Sequence, residues 1–275
     1  MFFGTEAHVN KYFLIALFVA SMAGQLIAGD LKITFKNEVK LMLMTQKSEE
    51  KCYYSARYVL KVNEKEKTDR LIDYKDLISY KINHIKKTID IYTLDDQMKM
   101  EEIMKNKVGT ASSEKKKKTI LTFSAGANDI KAQQVGTETV AGRACVKWEV
   151  IIGKKKLFAA SAAPTLEMPI PKADLEKIDK FVDPMMLILR LSSESSKLEA
   201  EYAKIKGFPL KTEFQISSGL ITVTFRQEAT KIEEGPITAS VFDLPKGYKT
   251  VDAGKEMLEK MMKDKKNPDN GTKKK

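Results

Sequence analysis

Alternation between apolar and polar side chains begins at residue 31 and recurs along most of the chain. Leu31, Ile33, Phe35, Val39, Leu41 and Leu43 share one parity, and Lys32, Thr34, Lys36, Glu38 and Lys40 share the other. A period of two is that of a strand with one buried and one wet face; Asn37 interrupts the apolar side, so one long strand and two joined at Asn37 are both open readings. Gln46 to Glu50 reads as a polar turn. Cys52, Tyr54, Ala56, Tyr58, Leu60 and Val62 then form the next alternating face. Asn63 to Thr68 reads as a turn, and Arg70 to Tyr74 and Leu77 to Ile82 as shorter strands. Asn83-His84 reads as a hairpin tip and Lys86 to Tyr92 as the returning strand. Five strands joined by short turns predict an antiparallel meander. No internal repeat is read in it.

The period then changes. Thr93, with Asp96 three residues on, predicts a capped helix start. The helix expected over Leu94 to Val108 carries Leu94, Met98, Met100, Ile103, Met104 and Val108, and stops at Gly109. Thr110 to Lys118 is a lysine-rich loop, Thr119 to Phe123 a strand, and Ser124 to Gln134 a turn. The stretch from Gly136 to Val150, GTETVAGRACVKWEV, predicts one central strand. Val140, Gly142, Ala144, Val146, Trp148 and Val150 lie on its apolar side, against Arg143, Lys147 and Glu149. It carries the single tryptophan, expected to face the concave side of the sheet against a later helix. Leu157 to Ala163 is a strand of small residues. Pro164, Pro169 and Pro171 mark a connector, after which Leu175, Ile178, Phe181, Val182, Met185, Met186 and Leu189 recur at helical spacing, with Pro184 as a kink. The helical pattern continues through Leu198, Tyr202 and Ile205 to Gly207. Strands are expected over Leu210 to Ile216, Leu220 to Phe225 and Ile237 to Leu244, and a short amphipathic helix over Asp252 to Lys263. The strands before and after the proline-bounded helices are expected to share one sheet.

Composition changes this picture in two places. The formal net charge is +11, but arginine occurs only at Arg57, Arg70, Arg143, Arg190 and Arg226. Lysine neutralises phosphate as a point charge and reads base edges less well than the arginine fork, so no nucleic-acid partner is expected. An anionic membrane surface, met by Lys115–Lys118 and the lysine-rich tail, is the better electrostatic partner. At the N-terminus, Lys11 precedes the apolar run Tyr12 to Ala20, followed by Ser21, Ala23, Ala28 and Gly29. This predicts a secretory signal over residues 1–29, cleaved after Ala23 or Ala28, and an exported, periplasmic or extracellular protein. Residues 30–250 then form the folded domain, and 251–275 a short helix and basic tail.

The chemistry-bearing residues are sparse. After the signal only His84 remains as a histidine, at an expected turn, so a Ser-His-Asp or Cys-His site has no base at hand. The histidine and cysteine ligands of a zinc site are missing, as are glycine-rich phosphate loops. No cofactor and no metal are expected. Cys52 and Cys145 lie on expected strands of an exported chain, where a disulfide and two buried thiols are both open readings. The 13 methionines read as flexible apolar filler.

Four stretches carry a resemblance: LIDYKDLISYKINHIKKTIDIYTLDD, GTETVAGRACVKWEV, GFPLKTEF and FDLPKGYK. Ala141-Gly142, Cys145 and Trp148, then Gly207 to Lys211, then Leu244 to Tyr248, occur in an order that resembles an uncharacterised exported bacterial branch of the LolA/LolB-like lipoprotein-carrier superfamily. The resemblance implies an α+β fold: a strongly curved antiparallel sheet, or half-barrel, with helices packed on its concave side. It also implies a non-enzymatic protein that holds a hydrophobic ligand (an acyl chain, lipid or lipoprotein) in the groove. The apolar strand faces and methionine-rich helices offer Leu31, Ile33, Phe35, Leu41, Tyr54, Tyr58, Leu60, Val146, Trp148, Met185 and Met186 as ligand contacts. The alternative is an envelope structural or interaction module with a filled core and no small ligand.

Overall fold

The computed structural model describes residues 29–41, 44–110, 130–153, 155–171, 174, 195–218 and 221–266. The expected signal, the strand Thr119–Phe123, the helix Leu175–Leu189 with Met185 and Met186, and the tail beyond residue 266 lie outside the described residues.

Two long strands open the fold, β1 (Leu31–Leu41) and β2 (Met44–Tyr54). Four short ones follow: β3 (Tyr58–Asn63), β4 (Thr68–Asp73), β5 (Ile78–Asn83) and β6 (Thr88–Thr93). Helix α1 (Leu94–Thr110) comes next, then β7 (Ile130–Val140), β8 (Arg143–Ile152) and β9 (Lys155–Ala163). After α2 (Ser195–Tyr202) the chain returns through β10 (Phe208–Ser218) and β11 (Ile221–Glu234). It ends in the short β12 (Lys249–Val251) and α3 (Ala253–Lys266). All the strands join one open sheet in the order β12-β6-β5-β4-β3-β2-β1-β11-β10-β9-β8-β7. The pairing is antiparallel except where β12 runs parallel to β6. Strands from both ends of the chain therefore share one sheet, as the alternation predicts.

The meander β3–β6 has a ten-residue structural period that the sequence conceals. Each strand has six residues and each turn four. Asn63, Asp73 and Asn83 close their strands, and the side-chain Oδ1 of each accepts the backbone N–H three residues on, from Glu66, Asp76 and Lys86. Such Asx turns substitute a side chain for a backbone acceptor. The fourth turn residue adopts positive φ: Lys67 (53°), Leu77 (57°) and Lys87 (52°). At the next step Thr93 begins a helix instead. Its hydroxyl accepts from Asp96 N–H at 3.1 Å while the Asp96 carboxylate accepts from Thr93 N–H at 3.1 Å, the reciprocal capping box that the sequence predicts.

Several expectations are corrected. Gln46 to Glu50 is not a turn: these residues pair in β2 with Glu38 and its neighbours, because ladder hydrogen bonds come from the backbone and tolerate polar side chains. The alternating face from Cys52 to Val62 is broken at Ser55–Arg57. There the Ser55 hydroxyl accepts from Arg57 and Tyr58 N–H, and the turn shifts the parity. The single strand expected over Gly136 to Val150 is a hairpin, β7 and β8. Ala141 (φ 47°) and Gly142 (φ 79°) form its two-residue tip, and positive φ at both is the twist that suits a tight hairpin. Residues 130–134, expected in a turn, belong to β7. Ile237 to Leu244 is not a strand: Ala239–Phe242 forms a 3₁₀ turn that lays Phe242 on the sheet, and the last strand is Lys249–Val251.

The sheet curls. β7 stands four places from β11, about 19 Å in a flat sheet at ~4.8 Å per strand. Yet β7 touches β11, Arg143 of β8 hydrogen-bonds Glu234 of β11, and Val140 and Cys145 share a core cluster with Leu31, Ile33 and Phe35. At the other end α1 packs on α3 and β6. A Cβ on Gly254 would lie 2.6 Å from the Asp96 carboxylate, so the close approach of α3 to the capped start of α1 requires glycine there. No helix among the described residues is long and apolar enough to cross a membrane.

Candidate functional site

Alternation along β1 places Leu31, Ile33, Phe35, Asn37 and Val39 on one face, and register carries that face across the neighbouring strands. One row runs Val39, Phe225, Phe214, Phe158, Val150 and Ala132, each directly opposite the next. This row is wholly apolar. A second begins at Phe35 and Ala229, with Leu210 buried beside them and the buried Glu50 of β2 opposite Phe35 at its end. Between these apolar rows lies a third: Ser48, Asn37, Gln227, Thr212, Ala160 and Trp148. It is polar for its first four members, and it separates two core clusters.

Cover for this face comes from the segment between β9 and β10. Leu166, Met168 and Ile170 join the cluster of Leu31, Ile33, Phe35, Tyr54, Phe208 and Leu210. Tyr202 and Ile205 join the cluster of Trp148, Phe158, Phe214 and Phe225, with the Tyr202 ring edge-on to Phe158 at 5.2 Å. Gly207 ends the segment at φ 103°, where a Cβ would meet the Ala163 backbone at 2.6 Å. The glycine of GFPLK is thus the hinge by which the cover rejoins the sheet beside the end of β9.

The polar row is buried. Asn37 is 2% exposed, Thr212 3% and Trp148 8%. Gln227 Nε2 donates to Asn37 Oδ1 at 2.9 Å. Among the described residues, Asn37 Nδ2, Thr212 Oγ1 and Trp148 Nε1 have no hydrogen-bond partner. A buried polar group left unbonded costs about 1–3 kcal/mol, so three in one row call for an explanation.

The outer side of the same four strands is charged. Lys47, Glu38, Arg226 and Glu213 form one cross-strand row of alternating sign, and Glu49, Lys36, Glu228 and Lys211 the next. Arg226 Nε donates to Glu213 at 2.8 Å, and Lys47 lies 3.4 Å from Glu38. A cleft of about 750 Å³ is lined by these charged residues together with Ser48, Asn37, Gln227 and Thr212 of the polar row. Its walls alternate in charge, so it has no net sign with which to select an ion.

The sequence-derived contacts do not converge on one place. Leu31, Ile33, Phe35 and Tyr54 lie together in the first cluster, and Trp148 with the half-buried Val146 in the second. Tyr58 and Leu60 belong to a third cluster with Leu71, Ile82, Ile89 and Phe242, on the opposite face. The cause is the turn at Ser55–Arg57: Leu60 pairs with Tyr53, and Val59 with Tyr54. Leu41 is half-buried and belongs to none of the three clusters. The sequence reading missed Gln227 and Thr212 and took Asn37 for a mere interruption; a polar residue at an apolar parity was the available signal.

Cys52 and Cys145 are both buried and free. Burial pushes both thiols above their ordinary value, Cys52 strongly and with the Glu50 carboxylate adding to it. Neither thiol is activated as a nucleophile. His84 sits in the expected turn but is half-buried there, bridging Asp69 (Nε2 to Oδ2, 2.7 Å) and the Tyr248 hydroxyl (Nδ1, 3.0 Å). It ties the LPKGY segment to the meander. No cluster of metal-ligating side chains occurs among the described residues.

Solved structures similar to this chain are distant. An uncharacterized conserved protein from Thermus thermophilus shares 9% identity at a TM-score of 0.42, covering 82% of this chain and 91% of that one. The MucA/MucB complex of Pseudomonas aeruginosa shares 11% at 0.39, covering 86% of this chain and 60% of the other, less than two thirds. A domain named for outer membrane lipoprotein sorting, from Vibrio parahaemolyticus, shares 8% at 0.29, covering 84% and 92%. At such scores these likenesses carry no argument about what the chain does. No curated protein matches it. A family model does match, over residues 35–248, from within β1 to the LPKGY tyrosine: the chain belongs to the DUF4412 family, a domain of unknown function.

Proposed function

We propose that the chain is an exported, non-catalytic binding module that holds a hydrophobic ligand, such as an acyl chain, lipid or lipoprotein, against the core face of its curled sheet. One observation carries this reading. Among the described residues, the apolar rows of that face are covered by the insertion between β9 and β10, through Leu166, Met168, Ile170, Tyr202 and Ile205. The described part of that insertion lies over two apolar surfaces across β1 and β8–β11, with the polar row between them. A largely apolar site with few polar anchors is the usual form of a small-molecule site. Helices on the concave side, a half-barrel shape and residues 30–250 as one domain belong to the same proposal, as does contact of the lysine-rich segments with an anionic membrane surface.

A second reading has its own support. Ile33 and Phe35 are 0% exposed, so the core face is closed as it stands. An interaction module with a filled core would look like this, and would meet its partner through the outer face. Native mass spectrometry of the full chain purified from membranes separates the two. A population carrying a lipid-mass adduct, removable by delipidation, is the expected result; the bare chain alone, with no uptake of added phospholipid, supports the filled module instead.

A further inference from the structure

The repeated turns of the meander set a standard from which one residue departs. Their second positions are Lys65, Lys75 and Ile85. All three are exposed, Ile85 by 74%, so neither the turn nor the core requires an apolar side chain there. Among the described residues Ile85 is the most exposed large hydrophobic, followed by Met44 at 70%. Both stand at the same end of the sheet, Ile85 between β5 and β6 and Met44 at the start of β2. β2 starts well before Lys51, the residue facing Val62. The Met44 tip therefore projects roughly 20 Å past the meander turns, and a surface touching both lies oblique to the strands. This end is also basic. The His84 N–H donates to the Lys67 carbonyl and the Lys249 N–H to the Lys87 carbonyl, each at 2.9 Å, which joins two turns and the start of β12. Lys65, Lys67, Lys86, Lys87 and Lys249 are exposed there. Of the carboxylates beside them, Glu64 is held by Lys51 at 2.7 Å, Asp69 by His84, and Glu66 is half-buried. At the opposite end of the meander Asp73, Asp76, Asp95 and Asp96 outnumber Arg57, Lys75 and Lys99.

We propose that this end of the sheet docks on an anionic lipid bilayer, with Ile85 inserted below the headgroups and Lys67, Lys86, Lys87 and Lys249 set against the phosphates around it. An apolar tip ringed by lysine is complementary to both layers of such a surface. The side chain loses its water among the acyl chains, and the ammonium groups meet negative charge at headgroup level. This assignment rests on the reading that the chain meets an anionic membrane. It moves the contact from the lysine runs of the sequence to a folded edge of the sheet, and it names the residue that enters the bilayer.

Ile85→Lys gives this turn the residue that the other two carry and adds a positive charge, so insertion and plain charge attraction predict opposite signs. Binding of the full chain would be measured by co-sedimentation with vesicles of phosphatidylglycerol and phosphatidylcholine, and of phosphatidylcholine alone. On the anionic vesicles Ile85→Lys should bind roughly tenfold more weakly than the wild type. Lys86→Gln/Lys249→Gln should bind roughly twentyfold more weakly. A polarity-sensitive dye on Ile85→Cys should shift to the blue with anionic vesicles, and the same dye on Lys75→Cys, at the acidic end, should not. Cys52 and Cys145 are buried and stay unlabelled. Equal or tighter binding by Ile85→Lys, or equal shifts at both labelled positions, overturns the tip and leaves a purely electrostatic contact through the lysine runs. Wild-type binding to neutral vesicles as tight as to anionic ones overturns the role of the lysines. No binding to either vesicle removes the membrane contact together with the tip, and leaves an acidic protein surface as the partner of these lysines.

Discussion

In β3–β6 every strand has six residues, every turn has four, and the pairing runs without a register shift. In β1, β2 and β7–β11 the strands run from nine to fourteen residues, and the pairing shifts at Thr34/Phe35, Gln134/Gly136, Val150/Ile151 and Pro209/Lys211. The two regions belong to one sheet but are specified differently. The meander is written locally: each turn carries its own Asx acceptor and its own positive-φ residue, so register follows from turn length. The long-stranded region depends on distant partners, since β1 pairs with β11 some two hundred residues away. Its bulges add twist, which lets the sheet curl until β7 meets β11. The regular region is a frame. The irregular region has the cover, the buried polar row and most of the inner surface, to which the meander adds Val59, Ile72 and Tyr74.

The sharpest way to break this contrast is to remove packing from the long-stranded region alone. Phe158 is fully buried and supports the Tyr202 ring of the cover. Phe158→Ala should cost about 3–5 kcal/mol in denaturant unfolding. Hydrogen exchange should quicken in β8–β10 and the cover before it changes in β3–β6. Simultaneous quickening everywhere would mean that the two regions are one cooperative unit.

A smaller effect is expected from acid on the meander. Burial works to raise the Asp73 carboxyl, but hydrogen bonds from Arg57 (Nη2 at 2.7 Å, Nε at 3.0 Å) and from the Asp76 and Lys75 N–H groups outweigh it and hold it below its ordinary value. A carboxyl lowered on folding stabilises above its unfolded value, roughly pH 4, and that stability is lost as pH falls towards the folded value. The thermal midpoint of the wild type should therefore fall more steeply below pH 4 than that of Asp73→Asn, which is less stable at neutral pH but has lost this slope. Parallel curves would show that the pair contributes nothing.

The smallest effect concerns the turns. Lys87 holds φ 52°, a conformation that costs a side-chain-bearing residue up to ~1 kcal/mol and glycine almost nothing. Lys87→Gly should raise the thermal midpoint slightly or leave it unchanged, because the gain is offset by the greater freedom of glycine in the unfolded chain. A clear loss would mean that the lysine side chain, and not the local backbone, sets the turn.

These two codes also explain what could be read from the sequence. The strands β1 and β4–β6, the Thr93–Asp96 cap and the position of Trp148 on a buried face were legible, because alternation and capping are local. Three things were hidden. The hairpin tip at Ala141-Gly142 falls inside an unbroken alternating run, so nothing in the period marks the reversal. The Ser55–Arg57 turn shifts parity through a serine hydroxyl, which moved Tyr58 and Leu60 to the wrong face. The ten-residue period appears in Asn63, Asp73 and Asn83, but hydrophobicity does not repeat with it. The candidate site was half legible: Leu31, Ile33, Phe35 and Trp148 follow from periodicity, whereas the row of Asn37, Gln227 and Thr212 exists only once register brings three distant strands side by side.

The central claim is that the long-stranded region takes up a hydrophobic ligand while the meander serves as its frame. Hydrogen exchange measured on the full chain with and without methyl palmitate tests it most directly. The account predicts new protection confined to β1, β8–β10 and Leu166–Ile170, with β3–β6 unchanged. Protection that is absent, or spread evenly over both regions, would contradict it.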